Sequence, residues 1–186
     1  MIMNEDERQA FHFFTGASCI ALLLVFGVEV SAYLCGVSLV LGLALLHLKL
    51  FGHKIWHFEW FLARFERPGV LFGYGAITLA AGVLAILTLL PSQGQMLASL
   101  VILGFGDAAS TVVGTRCRQK LPYNQKKTIG GSAAFFVACL PAVLFAGWGA
   151  MLVALAAAIA EGLESGVDDN LLVSIVCVIC FTLIGA

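Results

Sequence analysis

Charged positions divide the chain into five long uncharged stretches. Residues 9–28 form a run of 20, 30–48 of 19, 68–106 of 39, 128–160 of 33 and 170–186 of 17. A helix rises ~1.5 Å per residue, so ~17–25 apolar residues cross a hydrocarbon layer ~30 Å thick. The two longest stretches therefore each need a turn. Pro91-Ser92-Gln93-Gly94-Gln95 supplies a polar break in one. Gly147-Trp148-Gly149 supplies it in the other, with Trp148 placed as an interfacial aromatic. The pattern predicts helices near 11–28, 30–47, 69–90, 95–115, 130–147, 149–164 and 170–186. Helices are required because lipid offers no partner to an open backbone. No internal repeat is visible.

Composition turns this pattern into an all-α polytopic membrane protein with seven transmembrane helices, one integral-membrane domain over residues 1–186. Hydrophobic residues make up 61% and charged residues 11%, against ~25% charged in soluble domains. The mean hydropathy is +1.01. An ordinary soluble protein of this length would leave too much of that apolar surface in water. A basic nucleic-acid binder and a disordered tail are excluded as well. With seven spans, all ten Lys and Arg fall on one side, which the positive-inside rule makes cytoplasmic. The N-terminus is then inside, the C-terminus outside, and Glu29 alone is charged on the far side. The host is a plasma, inner or ER membrane. No cleavable leader is expected, since Glu5-Asp6-Glu7-Arg8 is not a basic start. Five of six cysteines fall in spans and read as small apolar packers. Cys177-x-x-Cys180 lacks the further ligands that zinc needs.

Polar residues at membrane depth are expensive and usually mark function. Four groups collect on the cytoplasmic side. Arg8, His12 and Gly16 stack at four-residue spacing on one helical face, a pattern that also fits an interfacial anchor. Arg64, Glu66, Arg67, Pro68 and Gly69 precede the third helix, behind an amphipathic His- and Trp-rich stretch over 49–60 that reads as an interfacial helix. Asp107 lies in an otherwise apolar span among Gly104, Gly106, Ala108, Ala109 and Ser110. An isolated carboxylate there needs a cation, either a metal or a lysine. The loop after it carries five positive charges and enters helix 5 through Lys126, Lys127, Thr128, Gly130, Gly131 and Ser132. Free N–H groups of glycines at a helix start, beside a lysine, suit phosphate. The order is not that of a Walker A loop. The fourth group is Glu161, Glu164, Asp168, Asp169 and Asn170. Its oxygen ligands suit Mg²⁺ or Ca²⁺, although a solvated acidic loop would look the same. Together these are the groups that a metal-bound nucleoside triphosphate needs beside a lipid-facing bundle.

The order of the groups resembles the CTP-dependent lipid-alcohol kinase family, which includes dolichol kinase, phytol kinase and a CTP-using diacylglycerol kinase and is related to phosphatidate cytidylyltransferases. Arg8, His12 and Gly16 resemble its opening motif. Gly106, Asp107, Ser110 and Gly114 match its Gly-Asp motif, and Lys127, Thr128, Gly131 and Ser132 its Lys-Ser/Thr-x-Glu-Gly-Ser motif. Glu161, Asp169 and Asn170 look like its closing acidic motif. Gly130 stands where the family usually has Glu. The late Pro-Gly-His-Gly-Gly run of the cytidylyltransferases is absent, which favours the kinase branch.

The resemblance implies transfer of the γ-phosphate of CTP to a membrane lipid alcohol such as diacylglycerol, a polyprenol or phytol. Lys127, Lys126, Thr128 and the Gly130-Gly131-Ser132 backbone would carry the phosphates, assisted by Arg8, His12 and Gly114. Mg²⁺ or Ca²⁺ would sit on Asp107 with Asp169 or Glu161. Asp107 or Glu161 would orient or deprotonate the hydroxyl, and Asn170 would bind metal or cytosine. The competing readings are CDP-lipid synthesis and a small non-enzymatic transporter or scaffold with an ion path past Asp107 and Glu161.

Overall fold

The computed structural model describes residues 5–55, 71 and 73–185, and among them the chain is mostly helical. The first helical stretch, Glu5–Leu50, breaks at Gly27, where φ is 77° and ψ −179°. Glycine reaches that backbone without the Cβ penalty other residues meet. Two helices result, α1 (5–26) and α2 (28–50). Cys19 and Cys35 line one cavity, whereas a single straight helix would hold them about 24 Å apart. The two helices therefore fold back on each other, with the turn two residues earlier than the Glu29 position read from charge. The interfacial helix expected over 49–60 is absent as far as it is described. Helix α2 ends at Leu50, a turn follows at Phe51 and Gly52, and residues 53–55 are irregular. The rest of that stretch, and the turn with Arg64, Glu66 and Arg67, lie outside the described residues.

Helix α3 spans Tyr74–Leu89. The polar break after it works as read, because Ser92 caps the next helix by accepting from the Gln95 N–H at 3.2 Å. Helix α4 (Gln93–Val101) passes through a π-helical segment, Ile102–Gly106, into α5 (Asp107–Gly114). The basic loop that follows is not irregular but forms an antiparallel hairpin, β1 (Lys120–Leu121) and β2 (Asn124–Thr128). Leu121 and Asn124, paired where the strands meet the turn, are both buried, and Pro122-Tyr123 between them suits a turn. Helix α6 (Ile129–Ala138), a 3₁₀ turn (Leu140–Ala142) and α7 (Val143–Ala146) replace the single helix expected over 130–147. Pro141 has no N–H for the helical ladder, so the α-helix cannot run through it. Helices α8 (Gly149–Gly162) and α9 (Asp169–Ile184) complete the chain.

Among the described residues, three helical stretches are long and apolar enough to cross a membrane: Glu7–Leu50 taken across the Gly27 break, Gln93–Gly114 and Ile129–Ala146. The other three apolar helices are shorter. The α4–α5 rod is the buried centre. Leu100, Val101, Ile102 and Leu103 pack there with Ile86 of α3, Phe135 of α6, Val153 of α8 and Phe181 of α9. Alanines at 150, 154, 157 and 158 keep the buried face of α8 thin, which lets helices approach closely. By contrast α1 and α2 expose Phe14, Val25, Val40 and Leu41, an apolar exterior that water would not tolerate over such an area.

One close approach sets the site. A Cβ on Gly16 would lie 2.8 Å from the Cα of Gly104, and one on Gly104 would lie 2.9 Å from the Cα of Gly16. The backbone of α1 thus rests directly on the π segment. Phe13 stacks on Phe105 beside it, with ring centroids 4.5 Å apart. This contact brings the first turns of α1 over Asp107.

Candidate functional site

The site begins with Asp107, the first residue after the π segment and only 7% exposed. Its Oδ1 is buried with no hydrogen-bond partner among the described residues. His12 of α1 places Nε2 3.5 Å from Asp107 Oδ2, an ionic contact when the ring is protonated but not a hydrogen bond. One turn along α5, Ser110 donates to the Asp107 backbone carbonyl at 3.0 Å and to Glu161 Oε1 at 2.9 Å.

Glu161 sits in the last turn of α8 and is 1% exposed. Its other partner is Lys127 on β2, whose Nζ also reaches Asp169 Oδ2 at 3.0 Å. Burial alone would lower the pKa of Lys127. The charges of Glu161 and Asp169, with their hydrogen bonds, outweigh burial and hold it above the ordinary lysine value. Asp169 opens α9, because Asp168 caps that helix by accepting from the Asn170 N–H at 3.0 Å. Thr78 of α3 donates to the same Asp168 oxygen at 2.8 Å. A carboxylate in the first turn is favoured by the helix dipole.

Lys127 reaches this place because the hairpin is fastened to the end of α8. The Asn124 amide donates to the Gly162 carbonyl at 2.9 Å, and its oxygen accepts from the Lys126 N–H at 2.9 Å. Leu121 and Tyr123 fill the space over Gly162, which a Cβ there would enter at 3.1 Å from each.

Oxygens of Asp107, Glu161 and Asp169 lie within 4.8 Å of one another. That spacing fits carboxylates sharing one hard cation. Among the described residues, the three carboxylates gather around the Lys127 ammonium, with His12 beside Asp107 and Arg8 on the adjoining cavity wall. A cavity of about 430 Å³ opens beside them, lined at this end by Arg8, His12, Asp107, Asp168, Asp169 and Asn170. Beyond, its walls are mostly apolar, with Leu22, Leu34, Leu79, Val83 and Leu87. Asn170 Oδ1 is buried without a hydrogen-bond partner among the described residues.

Of the residues singled out in the sequence, Asp107, Lys127, Glu161 and Asp169 thus meet, with Arg8, His12 and Asn170 on the adjoining cavity. Lys126 points away and pairs with Glu164 at the exposed surface. Gly114, Thr128, Gly130 and Gly131 lie where α5 and the residues just after it pack on the start of α6, while Ser132 faces Gly162 of α8. A Cβ on Gly131 would meet the Ser110 carbonyl at 2.9 Å, and one on Gly114 the Thr128 hydroxyl at 3.2 Å. The reading of free N–H groups at this helix start needs correction. The Gly131 N–H donates to Thr128 Oγ1 at 3.1 Å and the Ile129 N–H to the Gln119 carbonyl at 3.0 Å. Gly130 has its own explanation, since any Cβ there would run into Cys117 Sγ. A glutamate at 130 would need the Cys117 side chain to turn away. Ser132 Oγ is buried without a hydrogen-bond partner among the described residues.

Thr78 and Asn124 were missed in the sequence. Thr78 sits in an uncharged run with nothing to mark it. Asn124 closes a Pro-Tyr-Asn turn that does signal a hairpin.

No family model matches the chain, and no solved structure matches it. Over 173 residues it is 31% identical to the uncharacterized protein MJ1137 of Methanocaldococcus jannaschii, an alignment covering 91% of this chain and 88% of that protein. The shared length takes in nearly the whole bundle, and the chain belongs to the family of that archaeal protein.

Proposed function

We propose that the protein is a multi-pass membrane phosphotransferase that moves the γ-phosphate of CTP to the hydroxyl of a lipid alcohol at the cytoplasmic face. The observation that carries this is the meeting of Asp107, Glu161, Asp169 and Lys127 at the polar end of a cavity that is otherwise apolar. CTP as donor comes from the resemblance of the motifs to the lipid-alcohol kinases. Seven spans, made by α1, α2, α3, α4–α5, α6–α7, α8 and α9, put the N-terminus and the hairpin in the cytoplasm and the C-terminus outside. Supporting this count, it gathers every Lys and Arg on the side where the carboxylate cluster lies.

Asp107, Glu161 and Asp169 are the residues that would hold Mg²⁺ or Ca²⁺; three carboxylate oxygens within 4.8 Å of one another fit such an ion. A bound divalent ion supplies charge neutralisation on the phosphates. Lys127 holds Glu161 and Asp169 apart and offers its ammonium to phosphate oxygens. Asp107, which borders the cavity, accepts the proton of the lipid hydroxyl. The alcohol oxygen bonds to the γ-phosphorus, the bond from that phosphorus to the β,γ-bridging oxygen breaks, and CDP leaves. Ser110 keeps Glu161 aimed at Lys127.

Purified protein incubated with γ-labelled CTP, Mg²⁺ and a panel of lipid alcohols tests this. Label in lipid is expected, with turnover lowered about 10²–10⁴-fold in Asp107→Asn. Label in pyrophosphate instead would mark a cytidylyltransferase. Label in neither, or full turnover in Asp107→Asn, removes the reading.

A further inference from the structure

The cavity beside the cluster runs along α1 from Arg8 to Leu22, about 20 Å of helix. Its two ends differ in chemistry. At the mouth, Asp107, Asp168 and Asp169 gather negative charge, and Asp107 Oδ1 and Asn170 Oδ1 are buried acceptors that no described residue satisfies. Buried acceptors of this kind call for a donor. Arg8 and His12 line the same end, so a hydrogen-bond donor, rather than a charge, is what these acceptors lack. Along the apolar length the hydroxyls are already engaged. Thr15 donates to the Phe11 carbonyl, Ser31 to that of Gly27 and Ser38 to that of Leu34, each at 2.8 Å. Cys35 Sγ donates to the Ala80 carbonyl at 3.2 Å. Ester carbonyls of a glyceride would find no donor among these four. The volume, about 430 Å³, is at the lower end of the ~300–1,000 Å³ of single-ligand sites, which suits one chain better than two.

We infer that this cavity seats a neutral lipid alcohol with a single hydrocarbon chain, its hydroxyl donating to Asp107 Oδ1 and its chain lying between α1, α2 and α3. That this lipid is the phosphate acceptor rests on the phosphotransferase reading; its occupancy of the cavity does not. A diacylglycerol and a phosphatidate are both excluded by their second chain.

The test needs neither nucleotide nor metal. The full chain is reconstituted in phosphatidylcholine vesicles and photolysed with hexadecan-1-ol carrying a mid-chain diazirine. Adducts are expected on the cavity faces of α1, α2 and α3. Excess unlabelled hexadecan-1-ol removes them, while dioleoylglycerol and dioleoylphosphatidate do not. Gly75 lines the cavity, and a Cβ there would meet nothing within 4 Å. Gly75→Phe and, separately, Leu79→Trp fill the space and lower adduct yield about tenfold, a loss of ~1.4 kcal/mol, with unfolding temperature unchanged. Adducts outside these helices, or equal competition by the diacyl lipids, overturn the inference. Transfer from CTP to an alcohol with adducts elsewhere removes this inference and leaves the kinase. Adducts in the cavity without any transfer support the lipid site and remove the kinase.

Discussion

Lys127 carries the electrostatics of the cluster. Glu161 is buried at 1% exposure and Asp169 is partly so, and the one ammonium answers both. Removing one partner of a buried pair typically costs ~3–5 kcal/mol, because the other charge stays behind without compensation. Lys127→Met should therefore lower stability by about that much, read as a fall in the unfolding midpoint in detergent. Lys126, paired with Glu164 at the surface, is the control, and Lys126→Met should change stability by less than ~1 kcal/mol. The pH dependence follows from the direction of the Lys127 shift. Its pKa is higher in the folded protein than in the unfolded chain, where it is ~10.4. The stabilisation is thus fully present below that value and is lost as pH rises through the folded one. The midpoint should hold steady up to about pH 10 and then decline. In Lys127→Met the contribution of this residue to the alkaline decline should vanish. An unchanged alkaline limb in the variant would show that another group governs it.

Between residue and bundle, the hairpin delivers Lys127. Asn124→Ala removes the clasp on Gly162 without touching the cluster. Turnover should fall about tenfold or more, while the unfolding midpoint moves by the ~1–3 kcal/mol of one unmade buried hydrogen bond. Equal turnover would mean that the strand holds Lys127 unaided. The hairpin also shows where sequence reasoning stops. Long uncharged runs located the helices, since crossing lengths of apolar residues admit little else. Pro91 to Gln95 announced its own turn through Ser92. Glycine 27, the π segment and Pro141 were harder. Each is a local irregularity inside an apolar run, where hydrophobicity carries no phase. The cluster was legible one charge at a time, because a carboxylate such as Asp107 is costly in an apolar span. Its pairings were not. Lys127 lies 34 and 42 positions from Glu161 and Asp169, and Thr78 lies 90 from Asp168. Nothing local connects groups so far apart along the chain.

At the scale of the bundle, the proposed seven-span arrangement predicts sidedness. In intact cells a membrane-impermeant maleimide should modify Glu29→Cys and spare Lys126→Cys. Modification of the second alone, or of both, would break the arrangement. The π segment at Ile102–Gly106 has the widest reach of any local feature. It fits one extra residue into a single turn, so the helix on either side keeps its phase. Five residues wound this way turn about as far as four in an α-helix, roughly 400°. Deleting one residue within it should restore regular winding and leave Asp107 facing the cluster. What the deletion alters is the seat of α1, where Gly104 meets Gly16 and Phe105 meets Phe13. The expected product is a folded, membrane-resident protein with its carboxylates in place and His12 displaced from Asp107, recognised by normal expression with lowered phosphoryl transfer. A chain of this family that lost one codon there would keep its acidic centre and lose the grip of its first helix upon it.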